Sequence, residues 1–196
     1  MRIPQVLSPC DLPEPELIAA MLDGELHRLG GAFCPVDAIA SASDRAASIA
    51  AEAPEWAIAE QRTAAWVYGA APGLPRPLQL CVDSRSRVHP VSTRLHAFRE
   101  VVMTDHDARM LGGMAVTTPL RTALDLTRFS PEFSVPEYEI IRELAVIGGF
   151  DLSECVRAIA QRRNLPNKHL ALRRLDRASD YNRAASTQPA LTRYTS

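Results

Sequence analysis

The stretch from Gly112 to Leu126, Gly-Gly-Met-Ala-Val-Thr-Thr-Pro-Leu-Arg-Thr-Ala-Leu-Asp-Leu, constrains the fold more than any other. Met114 to Thr117 is small and β-branched and predicts a short strand entered through a glycine pair. Thr118 is placed as an N-cap, its hydroxyl accepting a backbone N–H of the first helical turn. Pro119 follows at the first helical position, where its missing N–H costs nothing. Leu120, Ala123, Leu124 and Thr127 recur at helical spacing and give one packing face. Arg121 and Asp125 lie one turn apart and can pair. A strand stopping at a capped helix is first of all a packing device.

Around this unit the chain must supply a core. It has 196 residues, 46% of them hydrophobic, enough for one sizeable core or one domain with a small appendage. Expected core residues are Leu17, Leu22, Phe33, Trp66, Val67, Leu80, Val82, Val116, Leu120, Leu124, Leu144 and Ile159. Residues 1–12 read as a loose arm. A helix is expected over Pro13–Asp23, then a hairpin with strands at 25–28 and 32–34 flanking Leu29-Gly30-Gly31. Helices follow from Ser43 to Ala53 and from Gln61 to Tyr68. Leu78–Asp83 reads as a strand, Ser84–Pro90 as a basic turn, and Val91–Met103 as containing the partner strand of a second hairpin. Beyond a linker at 130–136, helices are expected over 137–147, 151–163 (capped by Asp151) and 167–181.

Charge narrows the function classes. The net charge of -1 provides no global field for nucleic acid or membrane. Its distribution is uneven: residues 1–60 hold three Arg against ten Asp and Glu, an acidic head on a basic body. Lys168 is the single lysine among 22 basic residues, so any lysine-dependent chemistry has one candidate. Cys10, Cys34, Cys81 and Cys155 are scattered without a Cys-x-x-Cys pair, which argues against a zinc knuckle and fits a reducing cytosol. Met1-Arg2-Ile3-Pro4-Gln5 lacks a signal peptide's apolar run, so a cytoplasmic protein is expected.

Asp105-His106-Asp107 is the most enzyme-like cluster. Alternate carboxylates on a strand would face one way and hold a divalent metal, as in nucleotidyltransferases. Those enzymes also need an upstream Gly-Ser pair, which is missing, and a solvated turn is the default. The acid-x-Lys pair of a PD-(D/E)xK nuclease is absent around Lys168. His89, His96 and His106 would need the fold to gather them into a metal site. No catalytic residue, metal or cofactor is expected. Two basic runs remain: Arg76, Arg85, Arg87, Arg94 and Arg99 around the second hairpin, and Arg157, Arg162, Arg163, Lys168, Arg173, Arg174 and Arg177 on the last helices. Such side chains suit phosphate, an acidic protein surface or solvent. Arg85, Arg87, Arg94, Arg173, Arg174 and Arg177 are the candidate partner- or nucleic-acid-binding residues. Trp66, Thr118, Pro119, Arg121 and Asp125 are the structural motif.

The order of short helix, Gly-Glu-Leu hairpin, Arg-Thr-Ala-Ala-Trp-Val-Tyr-Gly at 62–69 and Val-Thr-Thr-Pro-Leu-Arg-Thr-Ala-Leu-Asp-Leu at 116–126 resembles the AbiEi-type antitoxins of type IV toxin–antitoxin systems, in their actinobacterial form. The resemblance runs from roughly residue 15 to 180. It implies a winged helix-turn-helix followed by an antitoxin domain, repression of the protein's own operon, a nucleotidyltransferase-like toxin as partner, and phage defence. Roughly 24 residues precede the first hairpin, so the winged helix is expected in truncated form, and no nuclease domain is expected at the C-terminal end. Glu14, Glu16 and Asp23 on the remaining helix repel phosphate, so any operator DNA is expected at the later arginines.

The expected fold is therefore α+β: a truncated winged-helix-like segment, a small mixed sheet with packed helices, and a C-terminal helical segment. The expected divisions are an arm and winged-helix remnant (1–42), an antitoxin-like core (43–130), C-terminal helices (131–181) and a flexible tail (182–196). The expected function is that of a non-catalytic antitoxin-like regulator. The alternatives are a nucleic-acid-binding regulator using the arginine-rich hairpin and helices, an orphan remnant of a nuclease-fused relative, or a small enzyme built on Asp105 and Asp107.

Overall fold

The glycine pair turns one short strand into the next. A computed structural model describes residues 5–187. In it β6 (Ala108–Leu111) pairs antiparallel with β7 (Met114–Thr117) across Gly112 and Gly113, whose φ angles are 52° and 83°. Both glycines occupy the left-handed region that side chains disfavour. At Gly112 a Cβ would also collide with the backbone of Ser43 and Ala47, so the turn packs directly on the helix above it. The other edge of β7 pairs in parallel with the two-residue β3 (Ile58–Ala59). β3 pairs antiparallel with β4 (Leu78–Asp83), and β4 pairs in parallel with β5 (His96–Val101). The sheet is thus mixed, in the order β5-β4-β3-β7-β6.

The parallel pairing of β4 and β5 corrects the second hairpin expected from the sequence. Leu78 lies opposite His96 and Asp83 opposite Val101. Residues 84–95 carry the chain back to the start of β4, a return that a parallel neighbour requires and a tight turn cannot make. The basic residues of this region therefore sit along a crossover.

β7 ends where α4 (Pro119–Phe129) begins, with Pro119 at its first position as expected. Thr118 holds the N-cap position but makes no side-chain cap bond. The Thr122 hydroxyl does the local work instead, donating to the Thr117 and Thr118 carbonyls at 3.1 and 2.9 Å. The Thr118 N–H donates to the Asp107 carbonyl at 2.9 Å, which fixes the strand-to-helix corner.

The preceding helices are α2 (Ala42–Ala50) and α3 (Gln61–Val67). The N-cap of α2 is Ser41, two residues before the expected Ser43, because Asp44 stands three residues on and completes a capping box. Ser41→Ala is expected to lower stability by about 1 kcal/mol, read as a reduced midpoint of urea unfolding, while Ser43→Ala leaves the midpoint unchanged. After α4 come α5 (Val135–Gly148), α6 (Leu152–Gln161) and α7 (Lys168–Thr187). Asp151 caps α6 as expected, accepting the Glu154 N–H at 2.8 Å. α7 runs beyond the expected end at Tyr181 and takes in residues 182–187 of the expected tail; residues 188–196 lie outside the described part.

At the other end, α1 (Glu14–Leu22) packs on the hairpin of β1 (Leu26–Leu29) and β2 (Ala32–Pro35). Leu17, Leu26 and Phe33 form a small core of their own. The arm is not loose at Leu7, which exchanges both backbone hydrogen bonds with Phe33 at 2.8 Å. Leu22, expected in the core, is 78% exposed; five residues past Leu17, it lies about 140° round the helix from it. The main core runs from Leu29 to Leu175 and includes Ile49, Val67, Leu80, Val116, Ile141 and Ile159, so α5, α6 and α7 share it with the sheet. Leu120, also expected inside, is half-buried against it. The architecture is α+β. Among the described residues no helix is long and apolar enough to cross a membrane.

Candidate functional site

The spacing of Arg121 and Asp125 on α4 seeds a buried ion network. Arg121 Nε donates to Asp125 Oδ2 at 2.7 Å, and Asp125 is 0% exposed. One turn on, Arg128 Nη1 donates to Asp125 Oδ1 at 3.2 Å. Asp125 thereby sits between two guanidinium groups of its own helix. Arg99, on β5, brings a third, with Nη2 3.9 Å from Asp125 Oδ1. Arg99 is held chiefly by Glu60, with Nη2 donating to Oε2 at 2.9 Å and Nε lying 2.8 Å from Oε1. Glu60 is the residue before α3, and the next residue, Gln61, has φ 47°.

The network extends to the edge of the sheet through Asp107, which accepts from Thr104 N and Oγ1 at 2.8 and 2.9 Å and lies 2.9 Å from Arg121 Nη1. Asp107 is buried in the turn before β6, whereas Asp105 is exposed. The two carboxylates do not share a strand face, which removes the expected geometry for a metal pair. Among the described residues no three His, Cys, Asp or Glu side chains gather for a metal ion. His89 Nδ1 meets Glu100 at 3.3 Å and His96 Nε2 meets the Glu52 carbonyl at 2.8 Å, so each ring has a partner of its own.

Burial sets the protonation of the network. It pushes the Glu60 carboxyl up to about 7, against the attraction of Arg99 and with further repulsion from Asp125. It drives the Cys81 thiol up strongly and the Cys155 thiol up to about 12, so neither offers a thiolate. It also lowers Arg128 from its ordinary value, with Arg121, Arg99 and Arg162 adding like-charge repulsion that Asp125 offsets in part.

Arg121 and Arg128 are buried together with the carboxylates, while Arg99 is partly exposed. Arg99, Arg121, Arg128 and Arg162 line a cleft of about 670 Å³ between β5, α4 and the connection from α6 to α7. Phe129 carries the guanidinium carbons of Arg99 and Arg128 over its ring, 3.9 and 4.5 Å from the centroid. Arg128 Nε also donates to the Pro166 carbonyl at 3.2 Å, tying α4 to that connection. No family model, curated protein or solved structure matches this chain.

Of the candidate binding arginines Arg85, Arg87, Arg94, Arg173, Arg174 and Arg177, two are consumed internally. Arg85 Nη2 donates to Asp83 at 2.6 Å and to the Met103 carbonyl at 3.0 Å. Arg174 Nη1 and Nη2 donate to the Thr127 and Ser130 carbonyls at 3.0 and 2.9 Å, closing the C-terminal end of α4. Arg173 and Arg177 are exposed on α7, interleaved with Asp176 and Asp180. Arg87 and Arg94 are exposed on the crossover 84–95, beside Val91 and Leu95, which are 80% and 61% exposed. Trp66 is a core residue with the Arg45 guanidinium 5.3 Å from its ring.

Arg99, Arg128 and Arg162 form the cleft but were not among the chosen site residues, and Glu60 carried no signal at all. Arg128 was the legible one, since it stands three residues after Asp125 on a predicted helix.

Proposed function

We propose that this chain is a non-catalytic, antitoxin-like regulator that acts in the cytoplasm by binding a nucleotidyltransferase-like toxin. The observation that carries the reading is the crossover between β4 and β5. It presents Arg87 and Arg94 together with the exposed apolar side chains of Val91 and Leu95. Arginine beside unburied aliphatic groups is the chemistry of a protein interface rather than of a solvated loop. A toxin that holds catalytic metal through carboxylates offers an acidic surface to such a segment.

Three further facts support the reading. The two motifs that carry the family resemblance meet in the core, where Tyr68 Oη donates to the Thr117 carbonyl at 2.9 Å. The carboxylates drawn into the centre are engaged by guanidinium groups, which favours recognition over acid–base chemistry. Cys34, Cys81 and Cys155 are buried free thiols, in keeping with a reducing compartment. Operon autorepression through DNA and a part in phage defence belong to the same proposal, with α1 and the β1–β2 hairpin as the vestige of a winged helix.

The test is co-expression of the tagged chain with the adjacent toxin-like reading frame. Co-purification is expected, and Arg87→Glu with Arg94→Glu is expected to weaken it at least tenfold while thermal stability is unchanged. Failure of the wild type to retain the toxin, or retention by the double variant, overturns the proposal.

A further inference from the structure

We infer that the arginine-lined cleft binds a phosphate monoester carried on a compact organic body, either a free nucleoside monophosphate or the 5′-phosphate end of a nucleic acid strand. This does not rest on the antitoxin proposal, which uses the crossover 84–95 and none of these side chains.

The first argument is the donor count. Four guanidinium groups from three separate segments converge on one cleft. Much of their hydrogen-bonding capacity is unspent. Arg99 Nη1 is buried without an acceptor, and Arg99 Nε, though close to Glu60, is misdirected for a hydrogen bond. A buried unpaired donor on a charged group is costly and calls for an acceptor. Among the described residues, Arg121 Nη2, Arg128 Nη2 and the whole Arg162 guanidinium make no hydrogen bond to the protein. A phosphate monoester brings close to two negative charges and three terminal oxygens, and planar guanidinium forks meet such oxygens in pairs.

The second argument is charge balance. Asp125, Asp107 and Glu60 lie behind the arginines and hold Arg121, Arg128 and Arg99 in place. Glu100 is the one acidic side chain lining the cleft, and it lies 3.3 Å from His89 Nδ1. Arg162 brings a further charge with no carboxylate partner among the described residues. A dianion in the cleft relieves the repulsion among the four cations.

The third argument is shape. A cleft of about 670 Å³ exceeds what a bare inorganic anion fills and lies in the ordinary range for small organic ligands. Val102, Leu165 and Pro166 give it an apolar wall for the body that carries the phosphate. The arginines converge instead of running in a stripe, so the arrangement fits a terminal phosphate better than a tracked polynucleotide backbone. Phe129 already carries two guanidinium groups, so recognition resides in the phosphate and not in base stacking on that ring.

The test is titration calorimetry of the full chain at low ionic strength. The probes are adenosine 5′-monophosphate, adenosine, inorganic phosphate, and one short oligonucleotide with either a 5′-phosphate or a 5′-hydroxyl. A phosphorylated probe is expected to bind at least tenfold more tightly than its dephosphorylated counterpart. Arg162→Ala, which removes an exposed side chain without internal hydrogen bonds, is expected to weaken that binding about tenfold. Arg142→Ala, on α5 and outside the cleft, leaves it unchanged. Tighter binding of the mononucleotide assigns the ligand to the free nucleotide; tighter binding of the phosphorylated strand assigns it to the strand end. The inference is overturned if no phosphorylated probe binds, if the dephosphorylated counterparts bind equally, if inorganic phosphate binds as tightly as the organic esters, or if Arg162→Ala binds as the wild type does.

Discussion

Replacing Asp125 with alanine is expected to remove about 3–5 kcal/mol of folding stability. The carboxylate is wholly buried and takes Arg121 Nε at 2.7 Å and Arg128 Nη1 at 3.2 Å. Both arginines are themselves buried, so the variant leaves two cations in a poorly solvated place with no counter-charge there. Arg121 retains Asp107 at 2.9 Å and the Val102 carbonyl at 3.2 Å, which limits the loss on its side. Arg128 retains the Pro166 carbonyl and the face of the Phe129 ring but no counter-charge, and burial already lowers its ordinary basicity. For a chain of this length the loss corresponds to a fall in Tm of roughly 8–15 °C. Asp125→Asn keeps the shape but replaces one of the two acceptor oxygens with an N–H donor facing a guanidinium and removes the charge, so a loss of the same order is expected. The comparison is made by urea unfolding at pH 8, where the midpoint should move with little change in slope. A loss under about 1 kcal/mol for the alanine variant would mean that water reaches the guanidinium groups and that the network is not buried.

The Arg121–Asp125 pair was legible because helical spacing alone creates it. The same locality made β7 and α4 legible to the residue: Thr117 ends the strand and Pro119 starts the helix. The start of α2 was misplaced at Ser43, although Asp44 follows Ser41 by three residues and a capping box demands that offset. What escaped depends on distant partners. β3 has two residues, too few for any periodicity, and exists because β4 and β7 flank it. β6 is a short edge strand whose identity comes from pairing across Gly112 and Gly113. The direction of β5 follows from where residues 84–95 return the chain, and no local turn signal encodes that.

The cleft was the least legible part, for the same reason. Glu60 and Arg99 stand 39 residues apart, and Arg162 reaches the cleft only through the packing of α6 and α7 on α4. Reading arginines as a run also counted charges that the fold consumes. Asp83-Ser84-Arg85 advertises its own pairing in the sequence, and the structure makes it, at 2.6 Å. Arg174 gave no such notice, because the carbonyls it satisfies belong to the end of a helix more than forty residues earlier.

Glu60 should make the stability of this protein fall as pH rises through the neutral range. Its folded carboxyl titrates at about 7, against an ordinary value of 4.5, because burial outweighs the pull of Arg99. A carboxyl whose folded value lies above its unfolded one binds more protons when folded. Its stabilising effect is therefore complete below pH 4.5, declines between pH 4.5 and 7, and is gone above that window. The shift corresponds to a loss on the order of 3 kcal/mol across it. Asp11, Asp83 and Asp151 shift the other way, through hydrogen bonds to Ser8, Arg85 and Ser153. Their stabilisation is present above 3.8 and lost at lower pH, so they do not mask the slope between pH 5 and 7. Urea unfolding at half-unit steps from pH 5 to 8 measures it. Glu60→Gln carries no titrating group there and should give a flat line, whatever constant penalty it incurs by weakening the hold on Arg99. A flat wild-type profile would show that Glu60 stays ionised against Arg99 throughout, and that the pair is stronger than its burial.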